Sequence, residues 1–278
     1  MSKILLITGV STGFGRALAE AALAEGYRVV GTIRSEAAKA EFEALTPGHA
    51  FGRVLDVTET AKIAPMVAEI ETSVGPIDAL INNAGYGFEG ILEESTLDEI
   101  RHQFDVNVFG AVAMMQAVLP FMRQRRSGRI LNITSMGGYI TLPGAGVYNG
   151  SKFALEGISE ALAKEVKDLG IHVTAVGPGG FRTDWAGRSL VRKERSIPDY
   201  DAVFDPIRKR RLENNGQQTG DPKKAAAAML TLIEAENPPM HLLLGSDANK
   251  LVREKLDFLK SEFDAWEKLT LSTDVVPI

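Results

Sequence analysis

Tyr148 and Lys152 stand four residues apart in a helical stretch, so their side chains share one face. A free phenol titrates near 10, too high for proton exchange at neutral pH. A cation beside it favours the phenolate. Such a pair can therefore serve as a general acid/base, although the same spacing also occurs on ordinary helix faces. Ser135 lies thirteen residues upstream, at the end of a β-branched run. A hydroxyl there either faces a cleft or caps the following turn.

A second constellation opens the chain. Thr8-Gly9-Val10-Ser11-Thr12-Gly13-Phe14-Gly15 follows an apolar run and begins a helical pattern. Gly9 suits a tight turn, Gly13 a close approach of backbone to a pyrophosphate, and Gly15 close helix–sheet packing. The amides and dipole of the helix start favour an anion. About 20 residues further on, an acid would select a ribose 2′-hydroxyl. Here the run Gly31-Thr32-Ile33 ends on Arg34-Ser35 instead. A guanidinium matches a phosphate in shape and charge, so NADP(H) is the expected cofactor, NADPH in preference to NADH. Arg34, with Ser35 or Thr32, would hold the 2′-phosphate; the alternative is an exposed Arg34 paired with Glu36. Gly9-Val10-Ser11-Thr12-Gly13 also fits a hydrolase nucleophile elbow, but that elbow normally follows a central strand and needs a late histidine.

Taken together, Thr8 to Gly15, Asn82-Asn83-Ala84-Gly85, Ser135, Tyr148-Xaa-Xaa-Xaa-Lys152 and Pro178-Gly179 resemble the single-domain short-chain dehydrogenase/reductases over residues 3 to about 245. The resemblance implies a hydride transfer between NADP(H) and a carbonyl or secondary alcohol. Tyr148 would be the acid/base, and Lys152 would bind the nicotinamide ribose and lower the Tyr148 pKa. Ser135 would hold the substrate oxygen. Asn107 would sit beside a helix irregularity and anchor a water leading to Lys152. Ser11, Thr12, Gly13 and Phe14 would surround the phosphates. Asp56 would touch the adenine, Asn83, Ala84 and Gly85 would wall the adenosine ribose, and Pro178, Gly179, Phe181 and Thr183 would approach the nicotinamide amide. The chain departs from the family pattern at Gly150, where alanine is usual, at Gly177, and in its last ~30 residues. A non-catalytic NADP(H) sensor on the same fold is the competing reading.

Tyr86, Phe88, Met136, Leu142 and Trp185 all follow strand ends, where ligands of such sheets bind. Their apolar character suggests a hydrophobic ketone, aldehyde or alcohol. Residues 183–220 are loose and charged, as a substrate lid would be. The bases from Arg188 to Arg211 there either attract an anion or form a solvated face with Glu194, Asp199, Asp201 and Glu213.

The elements around these residues are legible from periodicity. Ile4–Thr8, Arg28–Ile33, Gly52–Asp56, Ile77–Asn82, Arg129–Thr134, Ile171–Gly177 and Met240–Gly245 read as strands, most of them apolar on both faces. Amphipathic helices are expected between them, the clearest from Leu97 to Arg126, with a last helix over Asp247–Leu269. Strict alternation implies one Rossmann-type α/β domain, a doubly wound parallel sheet with helices on both faces. Residues 246–278 would form a C-terminal helical extension. The 278 residues contain no cysteine and four scattered histidines, which excludes thiolate sites and gives no metal cluster. A net charge of −5 offers nucleic acid or anionic membrane no global attraction. No leader and no ~20-residue apolar span stand out. A cytoplasmic enzyme is expected, forming a homodimer or homotetramer through apolar helix faces near Phe104 and Leu155.

Overall fold

In the computed structural model, residues 2–183, 185 and 187–275 are described. Two positions of the expected lid and the last three of the extension lie outside them. The chain alternates β1 (Ile4–Thr8), α1 (Gly13–Ala24), β2 (Arg28–Ile33), α2 (Glu36–Glu43), β3 (Ala50–Val54), α3 (Ile63–Ser73) and β4 (Ile77–Asn82). It continues through β5 (Gly87–Glu89), α4 (Leu97–Phe104), α5 (Gly110–Arg125), β6 (Gly128–Ile133), α6 (Gly146–Val166) and β7 (Ile171–Pro178). It closes with β8 (Leu190–Arg192), α7 (Asp201–Glu213), α8 (Pro222–Glu234), β9 (His241–Leu244) and α9 (Ser246–Leu271).

Seven strands form one parallel sheet in the order β3-β2-β1-β4-β6-β7-β9. Its strands are apolar on both faces because both are covered. Leu5 and Ile7 of β1 pack with α1 and α8, while Ile4 and Leu6 pack with α3 and α5. The third strand begins two residues earlier than its sequence suggests, because Val29 pairs with Ala50. Asp56 is thereby left free in the following turn. The strand order reverses between β1 and β4, so a crevice opens at their carboxyl ends. The glycine-rich turn and Asn83-Ala84-Gly85 both lie there.

The helix expected over Leu97–Arg126 is present but interrupted. Thr96 and Glu99 form a capping box at its start, and a π-turn over Asp105–Phe109 joins α4 to α5. By length and composition the 29-residue unit Leu97–Arg125 is apolar enough to cross a membrane, although no such span stood out in the sequence. Met114, Val118 and Met122 are nonetheless fully buried against the sheet, as in the core helix of a globular domain.

The charged 183–220 segment is more ordered than its sequence suggested. Its β8 pairs in parallel with β5 in a separate two-stranded sheet. Its bases mostly reach across to acids of the β5–α4 segment rather than to neighbours in the loop. Lys193 meets Glu99 at 2.9 Å and Arg195 meets Glu94 at 2.9 Å. Arg208 and Arg211 lie 3.3 and 2.9 Å from the buried Glu89. Of the acids expected to neutralise this loop, Asp201 pairs with Arg195 and Glu213 with Lys209.

Candidate active site

The β1–α1 turn is built to approach an anion. Gly9 and Gly13 take positive φ of 74° and 61°, which side chains rarely adopt. At Gly15 a Cβ would lie 2.2 Å from the Gly9 carbonyl oxygen, so only glycine lets the helix sit this close. Thr12 precedes α1 without capping it through its side chain, and no acid stands in the first turn. The amides at the head of α1 therefore keep their attraction for negative charge. Asn83 steadies this turn: its side-chain amide donates to the Thr8 and Gly9 carbonyls, each at 2.9 Å. The Thr8 hydroxyl accepts from the Asn83 and Ala84 amides, again at 2.9 Å. Phe14 packs edge-on against Phe181 at 5.0 Å between ring centroids, and Thr183 lies just beyond Gly13.

Arg34 is exposed at the end of β2. Glu36, its expected competitor, is 3.6 Å from Lys39 instead. Ser35 caps α2 by accepting from the Ala38 amide at 3.3 Å. Asp56 accepts from the Thr58 amide and hydroxyl at 2.9 and 2.7 Å. Burial pushes the Asp56 carboxyl up, but those two bonds outweigh it, and the charges of Arg34 and His102 lower it further. The residue thus stays an anion with Arg34 in its field.

At the carboxyl ends of β4 and β6, the acid/base residues converge. Ser135 follows β6; its oxygen accepts from the Gly137 amide at 3.0 Å, so it caps a short turn. Its hydroxyl also acts on Tyr148 in the direction that favours the phenolate. Cap and site residue are one group here, where the sequence offered a choice. Tyr148 lies in the first turn of α6. The ring of Trp185 covers it at 5.3 Å between centroids, and the absence of a Cβ on Gly87 makes room for that indole.

Lys152, one turn on, is 7% exposed. Its ammonium donates to the Ile133 carbonyl at 2.9 Å and lies 5.8 Å from the centre of the Tyr148 ring. Burial drives the Tyr148 phenol up to about 12, against the pull of Ser135. Burial also draws Lys152 down to about 8, against the pull of Glu156. The ammonium is turned to a carbonyl in this arrangement, and Ser135 favours the phenolate.

Asn107 sits within the π-turn, as expected for a residue beside a helix irregularity. Its amide donates to the Tyr86 carbonyl at 3.0 Å and to the Ser151 hydroxyl at 3.1 Å, and its oxygen accepts from the Tyr86 amide at 3.1 Å. It fixes the chain at Tyr86, and a Cβ on Gly85 would meet both its oxygen and the Lys152 ammonium, at 3.1 and 3.7 Å.

Of the proposed cleft residues, Tyr86, Met136, Leu142 and Trp185 are at least partly exposed. Phe88 is not: at 2% exposure it is core, because the β5–β8 pairing turns it inward. Ser11 is exposed, and no hydrogen bond joins it to a histidine among the described residues, so the elbow reading finds no partner.

Sequence reasoning also missed a buried network behind Lys152. Glu156, four residues on, accepts from the Thr134 hydroxyl and, at 2.7 Å, from the Tyr139 hydroxyl. His241 Nδ1 lies 3.1 Å from the same carboxylate. The signal was available, since Tyr148, Lys152 and Glu156 form one four-residue ladder along α6.

This geometry agrees with what the chain is similar to. Residues 3–193 match the short chain dehydrogenase family. The chain belongs to the short-chain dehydrogenases. A short-chain dehydrogenase structure from Streptomyces avermitilis is 39% identical over 99% of both chains, with a TM-score of 0.91. The 3-ketodihydrosphingosine reductase of Bacteroides thetaiotaomicron is 38% identical over 87% of this chain and 88% of its own length. ElxO with NADP bound is 25% identical over 87% of this chain and 96% of that chain, with a TM-score of 0.72. The protein is thus a short-chain dehydrogenase in sequence and fold, and an oxidoreductase by family.

Proposed function

We propose that this short-chain dehydrogenase transfers a hydride between NADP(H) and the carbonyl carbon of a hydrophobic ketone or aldehyde, or the corresponding alcohol, with Tyr148 as general acid/base. One observation carries the reading: the buried Lys152 ammonium stands one helical turn from Tyr148, 5.8 Å from the centre of its ring, at the carboxyl end of the strand that Ser135 follows. The head of α1 would hold the pyrophosphate, Arg34 the 2′-phosphate, and Asp56 the adenine side. The bound dinucleotide supplies or accepts the hydride. In reduction, Ser135 orients the substrate oxygen and Tyr148 gives it a proton; in oxidation, Tyr148 takes that proton back. Lys152 brings positive charge to the site and so opposes the cost of phenolate formation once the ribose hydroxyls engage it.

The exposed guanidinium of Arg34 supports NADP(H) over NAD(H), and the NADP-bound relative is consistent with it. The apolar wall of Trp185, Met136 and Leu142 supports a hydrophobic substrate, and similarity to a 3-ketodihydrosphingosine reductase is consistent with it. Cytoplasmic location and self-assembly belong to the same proposal. A panel of ketones and aldehydes, followed by NADPH absorbance, tests it. Turnover should concentrate on apolar carbonyls. Binding of NADPH with no oxidation of it across the panel would favour a sensor.

A further inference from the structure

Helix α9 leaves the domain after its first two turns. Ala248 and Val252 are buried beneath it. From Leu256 onward, the helix is largely exposed and keeps an apolar stripe along one face. Leu256 is 56% exposed, Phe263 68% and Trp266 65%. Packing of an amphipathic face normally supplies most of the stability of a protein helix. Among the described residues this apolar stripe is left largely exposed, so it calls for a partner.

The spacing says what kind. Leu256, Leu259, Phe263 and Trp266 recur at intervals of three, four and three, the seam of a two-helix coil. A lipid surface is the weaker fit. Between Ser246 and Leu271 there are five bases and six acids, whereas interfacial helices carry an excess of bases. We propose that the arm docks against the same arm of a second copy of this chain, antiparallel about a two-fold axis near Ser261.

In that register Leu256 meets the partner's Trp266, and Leu259 meets the partner's Phe263. Arg253 then faces the partner's Glu267 at both ends of the seam. Lys260 and Glu262 each approach their own copy near the axis. Lys260 already carries Asp264 at 2.5 Å as an intrahelical partner. The contact is separate from the outer faces of α5 and α6, where Phe109 and Phe153 are exposed.

Light scattering on the full chain tests it. The doubly charged variant Phe263→Glu with Trp266→Glu should halve the native mass while leaving the melting of the domain unchanged. Arg253→Glu should weaken assembly, and adding Glu267→Arg should restore it. Because the chain has no cysteine, Lys260→Cys offers a single thiol near the axis. A short bismaleimide should link two such copies, whereas Leu251→Cys, far from the axis, should give little product. A monomeric wild-type chain would overturn the proposal. So would an unchanged mass in the Phe263/Trp266 variant, or sedimentation of the wild type but not that variant with phosphatidylcholine–phosphatidylserine vesicles.

Discussion

Among single residues, Glu156 is the one whose role the Tyr–Lys spacing least advertises. Its buried carboxylate raises the Lys152 pKa, while burial lowers it to about 8. The groups around it are Thr134, Tyr139 and His241, with Glu160 facing His241 from the next turn. Glu156→Gln keeps the hydrogen-bonding shape but removes the charge. Lys152 then loses its proton more readily, so the alkaline limb of kcat/KM should move to lower pH. A limb that stays in place would show that Glu156 does not set the charge on Lys152. Arg34→Asp replaces a charge-assisted bond worth about 1.5–3 kcal/mol by repulsion. KM for NADPH should rise by at least about tenfold relative to NADH, read from paired kinetics with the two cofactors. An intact NADPH preference would remove Arg34 from the 2′-phosphate.

At the scale of elements, α6 and the β5–β8 sheet behave differently from their sequence appearance. Gly150 stands where the family pattern has alanine. A Cβ there would meet only the Phe104 ring, at an ordinary 3.6 Å. Gly150→Ala should therefore stabilise α6 by about 0.5–1 kcal/mol, read as a higher denaturant midpoint with turnover retained; a lower midpoint would expose a steric role. Glu89 is the opposite case. Its side chain is 1% exposed and faces Arg192, Arg208 and Arg211. Removing one partner of a buried ionic cluster costs about 3–5 kcal/mol. Glu89→Ala should lower the midpoint accordingly and loosen the lid, seen as faster amide exchange in 190–213. Unchanged exchange there would mean that the ion pairs do not tie the lid down.

For the whole molecule, the alternating pattern made the doubly wound sheet legible, because strands buried on both faces read as continuous apolar runs. The phosphate turn was legible because Gly9, Gly13 and Gly15 answer distinct steric demands. What stayed hidden was long-range. The pairing that buries Phe88 depends on a strand about a hundred residues away, and the buried or half-buried acids that hold the lid, Glu89, Glu94 and Glu99, lie outside its own sequence. The π-turn at Asn107 leaves no break in the apolar period. The free arm of α9 was visible as an amphipathic helix, but not as one the domain leaves uncovered.

The central claim is that the Tyr148 phenol exchanges the substrate proton, and Tyr148→Phe addresses it most directly. With the best carbonyl from the panel, kcat should fall about 100- to 10,000-fold, while NADPH binding, followed by its fluorescence, stays near the wild-type level. Turnover within a few-fold of wild type would contradict the account.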